Sequence, residues 1–201
     1  MYQLANALYP IIEEVTPLEE ILDQYKVDFE KQSFAMMKSK LGLYTSDEND
    51  LELIQHLEDT LQLTETDMTI FFRNLSRFSV EKSGFYLIEK AFYELEDFSD
   101  AIKMKWLNWF EKYAERLQKE TTSSEERKEK MDGVNPKYVL RNYMSQLAID
   151  AADKGDYSLI DELYQLLKKP YTEQPDKEKW FAKRPEWARN KVGCSMLSCS
   201  S

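Results

Sequence analysis

The stretch IKMKWLNWFEKYAERL, residues 102–117, decides the fold class. Ile102, Trp106, Trp109, Tyr113 and Leu117 recur in steps of three and four, the period of an α-helix with one apolar face. Aromatic rings at that spacing are core, because burying them dominates packing energy. Ligand boxes of this form are rare.

Outward from this helix the same period repeats. Thr16-Pro17-Leu18-Glu19 carries the elements of a capping box with proline at the first helical position. The run behind it places Leu18, Leu22, Tyr25, Phe29, Met36 and Leu41 near one face before Gly42, which predicts a long core helix. A second helix is expected over about 49–63 with Leu53, Ile54, Leu57 and Leu61 inward. A third starts near Thr66 with Ile70, Phe71 and Leu75, and a fourth lies between Gly84 and Glu96. Neither a repeat nor a useful β alternation is present, so the fold class is all-α, a multi-helix array over 1–120.

Residues 121–130, TTSSEERKEK, are polar throughout. They read either as a solvated short helix capped by Ser123 or Ser124, or as a polar linker over 121–134. In NPKYVLRNYMSQLAIDAADKGD, 135–156, Asn135 suits an N-cap and Pro136 a first turn. Val139, Leu140, Tyr143, Leu147 and Ala151 form a stripe, and Gly155 suits a left-handed close. A following helix with Leu159, Leu163, Leu166 and Leu167 inward runs to Pro170, which predicts an αα-hairpin over 135–170. The remainder, 171–201, reads as an extended tail anchored by Trp180 and Trp187.

Composition narrows the function classes. The chain has 201 residues and a net charge of −10, so no general attraction draws it to nucleic acid or an anionic membrane. No apolar run approaches the ~20 residues of a membrane span, and no signal peptide is visible, which makes the cytoplasm the expected setting. Gly42, Gly84, Gly133, Gly155 and Gly193 lie far apart, so no glycine-rich phosphate cradle is read. The lone histidine, His56, argues against hydrolytic triads and common zinc sites. Pairs such as Glu13-Glu14, Glu19-Glu20, Asp47-Glu48 and Glu125-Glu126 read as helix-dipole partners before magnesium ligands. Hence no catalytic, metal or cofactor-binding residue is expected on this chain. Cys194 and Cys199 are the redox candidates. With no Cys-x-x-Cys motif and no βαβ pattern, a thiol oxidoreductase finds little support.

Several segments resemble one family in order. NPKYVLRNYMSQLAIDAADKGD, YQLLKKPYTEQP at 164–175, PEWA at 185–188 and the terminal SCSS resemble the C-terminal region of the selenoprotein O (YdiU) family. YQLANALYPI at 2–11 resembles the family segment that follows a WNL motif near the end of the catalytic domain. The resemblance implies a kinase-like (pseudokinase) protein adenylyltransferase. Such a protein transfers AMP from ATP, with Mg²⁺ or Mn²⁺, to Ser, Thr or Tyr hydroxyls of protein substrates. It also implies that residues 1–120 continue the kinase-like C-lobe, that the nucleotide and metal residues precede Met1, and that Cys199 occupies the family's selenocysteine place. On this reading the chain supports the catalytic lobe and is inactive alone. Asn135, Arg141 and Asn142 are candidates for contact with the missing kinase-like domain. Tyr143 is disfavoured as an AMP acceptor by its stripe position. The alternative is a stand-alone helical interaction module without catalysis.

Overall fold

The computed structural model describes residues 1–79, 84–191 and 194. Among these the chain is all-α, with a single isolated bridge between Thr66 and Phe92 in place of any sheet. The chain comprises two compact units, Met1–Lys38 and Ser39–Ser201.

In the first unit lie helix α1 (Tyr2–Ile12) and most of α2 (Thr16–Leu41). Of the core stripe expected along α2, Leu41 is fully buried, but the part lying in the first unit is not a core. Tyr25 is 45% and Phe29 60% exposed, and α1 buries none of its residues. Helical period reports an amphipathic face, but what covers that face is a tertiary matter. The start signal is also displaced: Thr16 is already helical, and the carbonyl of Val15 accepts from Leu18 and Glu19. Glu13 caps the C-terminus of α1 in the left-handed region, where the dipole does not favour a carboxylate.

The second unit is built around α6 (Asp100–Leu117), whose Trp106, Trp109, Tyr113 and Leu117 are buried as their spacing predicts. Ser99 caps it by accepting from the Ile102 amide. Against it packs α3 (Asp50–Leu61), which buries Leu53, Ile54 and Leu57, while α4 (Met68–Leu75) buries Ile70, Phe71 and Leu75 and sets the Phe71 ring 5.5 Å from Trp106. Trp109 stacks on Tyr113 with ring centroids 4.9 Å apart, and its indole N–H donates to the Leu53 carbonyl at 3.2 Å. Tyr113 donates to the Leu41 carbonyl at 2.7 Å, and burial pushes its pKa up to about 12. The expected single helix over 84–96 is broken into α5 (Phe85–Ile88) and two 3-10 turns, Glu89–Ala91 and Leu95–Asp97. The extended residue Phe92 there inserts between Phe98 and Trp106, at 4.7 and 5.3 Å.

Helix α7 (Ser124–Val134) realises the first of the two forms open to the polar segment. Ser123 accepts from the Glu126 amide, and Arg127 and Met131 are buried. Asn135 ends α7 instead of starting the next helix, which is α8 (Asn142–Ala152). Residues 135–141 stay irregular because Lys137 and Tyr138 donate their backbone N–H groups to Pro170, at 2.8 and 3.0 Å. That long-range pair outcompetes the local Asn-Pro start signal, and Leu140 is left exposed. Helices α8 and α9 (Ser158–Leu167) form the expected hairpin, turned at Gly155 with φ 82°. Their core holds Tyr138, Tyr143, Met144, Leu163 and Leu166, and the tail adds Trp180, Ala188 and Cys194. Trp180 anchors as expected, donating to Glu162 at 3.0 Å. Trp187 is half exposed and meets the edge of the Tyr143 ring.

Candidate functional site

Three of the sequence candidates meet in one place. Arg141, Asn142 and Cys194 line a cavity of about 260 Å³ together with Tyr93, Tyr143 and Arg184. Arg141 stands immediately before α8, and its guanidinium grips Asp67 through both terminal nitrogens, one of them at 2.9 Å. Asp67 also caps α4, accepting from the Ile70 amide at 3.1 Å. One carboxylate thus fixes the start of α4 and the start of α8. Burial opposes the charge of Arg141, but the hydrogen bonds to Asp67 outweigh it and raise its pKa.

The tail closes the other side. Arg184 pairs with Glu65 at 2.8 Å, and its backbone N–H donates to the Tyr93 hydroxyl at 3.0 Å. Arg189 reaches Glu65 at 3.0 Å and Glu94 at 2.9 Å. Burial raises the pKa of both Tyr93 and Tyr143, so each phenol is protonated near neutrality. The cluster pairs its guanidinium groups with carboxylates and buries its thiol. Its chemistry is that of a joint: it locks the hairpin and the tail onto α4.

Asn135 lies elsewhere. It is buried, donates its side-chain amide to the Lys40 carbonyl at 2.9 Å, and accepts from Arg73 at its own carbonyl. The same Arg73 pairs with Glu173 at 2.8 Å, and Glu173 with Lys137 at 2.5 Å, so this region is an ionic network of two buried cations about an exposed carboxylate, serving the chain itself. Cys199 falls outside the described residues. Cys194 is a free thiol, 5% exposed, inside the hairpin core. His56 is half-buried on α3, and burial lowers its pKa.

Sequence reasoning missed Asp67, Glu65, Tyr93 and Arg184. Asp67 had a readable signal, a capping residue just before the apolar run of α4. The others act across more than ninety residues and carry no local pattern. Among the described residues no group of three or more His, Cys, Asp or Glu could hold a metal ion, and no helix is long and apolar enough to cross a membrane.

Comparison with known proteins extends this geometry. A family profile described as "Protein adenylyltransferase SelO" matches residues 1–168. The "Protein nucleotidyltransferase YdiU" of Flavobacterium johnsoniae is 59% identical over 204 residues, covering all of this chain and 39% of that protein. The proteins of the same name from Aromatoleum aromaticum and Rhodopirellula baltica are each 43% identical, covering 100% and 98% of this chain and 38% and 39% of their own length. The chain therefore spans under two fifths of the curated relatives it matches.

Proposed function

Because the chain belongs to the protein adenylyltransferase SelO family, we infer that it serves as the helical C-terminal region of a protein nucleotidyltransferase. In this reading the whole protein transfers AMP from ATP, with Mg²⁺ or Mn²⁺, to Ser, Thr or Tyr hydroxyls of protein substrates. Nucleotide and metal are held by the portion of the family protein outside this chain, and the cytoplasmic setting expected from the sequence belongs to the same proposal.

One observation carries the supporting role. Residues 1–38 expose large apolar side chains, among them Tyr2 at 72%, Ile11 at 79%, Val27 at 59% and Phe29 at 60%. An apolar face on that scale marks an interaction surface. The occupant is the kinase-like portion that makes up the remaining length of the relatives, and α1 and α2 are the elements that dock on it. Arg141 and Asn142 are the polar contacts offered to that portion from the second unit, while Asn135 contributes by holding the chain's own frame. The redox role rests on Cys199, since burial of Cys194 keeps that thiol from acting as a mobile tail group.

Calorimetry tests the division of labour. The 201-residue chain is expected to bind ATP no better than an unrelated acidic helical protein. Tight, saturable, metal-dependent binding would overturn the supporting role. A stand-alone interaction module draws on the same exposed face, and it predicts a homodimer that buries α1 and α2. Sedimentation equilibrium showing such a dimer, with no affinity for the kinase-like portion, would favour that reading.

A further inference from the structure

A groove of about 590 Å³ runs between the end of α4, the α5 turn and the chain at 178–183, which leaves the 3-10 turn Pro175–Trp180. Its floor is apolar, formed by Ile70, Leu87 and Phe181. Its rim is cationic, with Arg77, Lys90 and Lys183 against a single carboxylate, Glu178. That carboxylate is already engaged by Lys137 at 2.6 Å, and Lys183 donates to the Phe92 carbonyl. Arg77 and Lys90, both exposed, have no ion-pair partner among the described residues.

Between floor and rim lies Asn74. The residue is only 7% exposed and lines the groove, yet its side-chain amide has no hydrogen-bond partner among the described residues. A ligand oxygen in the groove would give that amide an acceptor. The carbonyls at the end of α4, which would repel an anion, are already taken. Ser76 donates to Arg73, Arg77 to Asn74 and Phe78 to Leu75, at 2.8 to 3.0 Å. In a chain of net charge −10, a local surplus of unpaired cations over an apolar floor focuses anions.

We propose that this groove binds a small organic anion, its carboxylate or phosphate head taken by Arg77, Lys90 and the Asn74 amide, its apolar or aromatic body resting on Ile70, Leu87 and Phe181. The site does not depend on the docking of residues 1–38, so either can fail alone.

Nitrogen-15 NMR of the 201-residue chain, titrated with phenyl phosphate and with benzoate, tests it. The Asn74 side-chain amide and the Arg77 Nε are expected to shift together and saturate. Tighter binding of phenyl phosphate assigns the head group as a phosphate, and tighter binding of benzoate assigns it as a carboxylate. The double variant Arg77→Gln/Lys90→Gln, at exposed positions that leave the fold intact by circular dichroism, should weaken binding about tenfold or more, roughly 1.4 kcal/mol. Lys119→Gln, which removes a cation paired with Asp47 at a distance from the groove, should leave affinity unchanged. The proposal is overturned if neither probe gives a saturable shift at Asn74, or if the double variant binds as well as the parent. Inorganic phosphate binding as tightly as phenyl phosphate would also overturn it, because the apolar floor would then take no part.

Discussion

Arg116 is 4% exposed and sits between Asp50 at 2.6 Å and Glu120 at 2.8 Å, two carboxylates buried with it. Breaking such a cluster from its cationic side strands both anions, so Arg116→Met should cost about 3–5 kcal/mol in urea unfolding. A loss below about 1 kcal/mol would mean the carboxylates reach water. Glu162 reports on the tail in a different way. Hydrogen bonds from Trp180 and then Lys179 hold its pKa at about 2, below its usual 4.5. A depressed carboxylate binds fewer protons folded than unfolded, so its stabilisation is complete above about pH 4.5 and is lost as pH falls through about 2. Acid titration followed by Trp180 fluorescence should show a shallower slope in that window for Glu162→Gln, and an unchanged slope would contradict the linkage. Burial of Cys194 gives a third check. In a Cys199→Ser background its thiol should react with a disulfide reagent far more slowly in the native chain than in denaturant, whereas equal rates would place it outside the hairpin core.

At the scale of elements, two glycines with positive φ end helices in unlike surroundings. A Cβ on Gly42, at φ 70°, would lie 2.7 Å from the Met131 sulfur and 2.8 Å from Arg127 Cγ, while a Cβ on Gly155, at φ 82°, meets nothing within 4 Å. Gly155→Ala should therefore cost about 1 kcal/mol of backbone strain. Gly42→Ala adds the clash and should cost about 2–4 kcal/mol. Equal thermal shifts for the two variants would contradict the packing of α7 on that turn. The elements also show where sequence reading succeeds. Helix α6, α3 and the α8–α9 hairpin were legible because a dense aromatic or aliphatic stripe leaves one solution. Residues 135–141 were not, because Asn135-Pro136 looks locally like a helix start. Contacts remote in sequence, among them the backbone bonds to Pro170 over thirty residues away, hold that segment out of a helix. The joint at Asp67 and Arg141 was half legible: Arg141 came from family resemblance, and the capping signal of Asp67 said nothing of the pairing between them.

For the whole molecule, the decisive feature is the contrast between the two units. The unit from Ser39 onward buries its aromatic core and satisfies its charges in networks such as Arg73–Glu173–Lys137. In the unit Met1–Lys38 the helical stripe is real, but its apolar residues face solvent. The sequence signal was read correctly as a face and incorrectly as a core, since period cannot say whether the covering surface lies in the same chain. On the proposed reading, the remainder of a protein of which this chain spans 39% covers that face. The most direct measurement is association, by sedimentation, of this chain with the part of the Flavobacterium johnsoniae relative that it does not match, compared with the variant Val27→Asp/Phe29→Asp. The account predicts a one-to-one complex that the double substitution weakens by about a hundredfold, roughly 2.7 kcal/mol. Two folded, monodisperse partners that do not associate, or a complex indifferent to both aspartates, would contradict it.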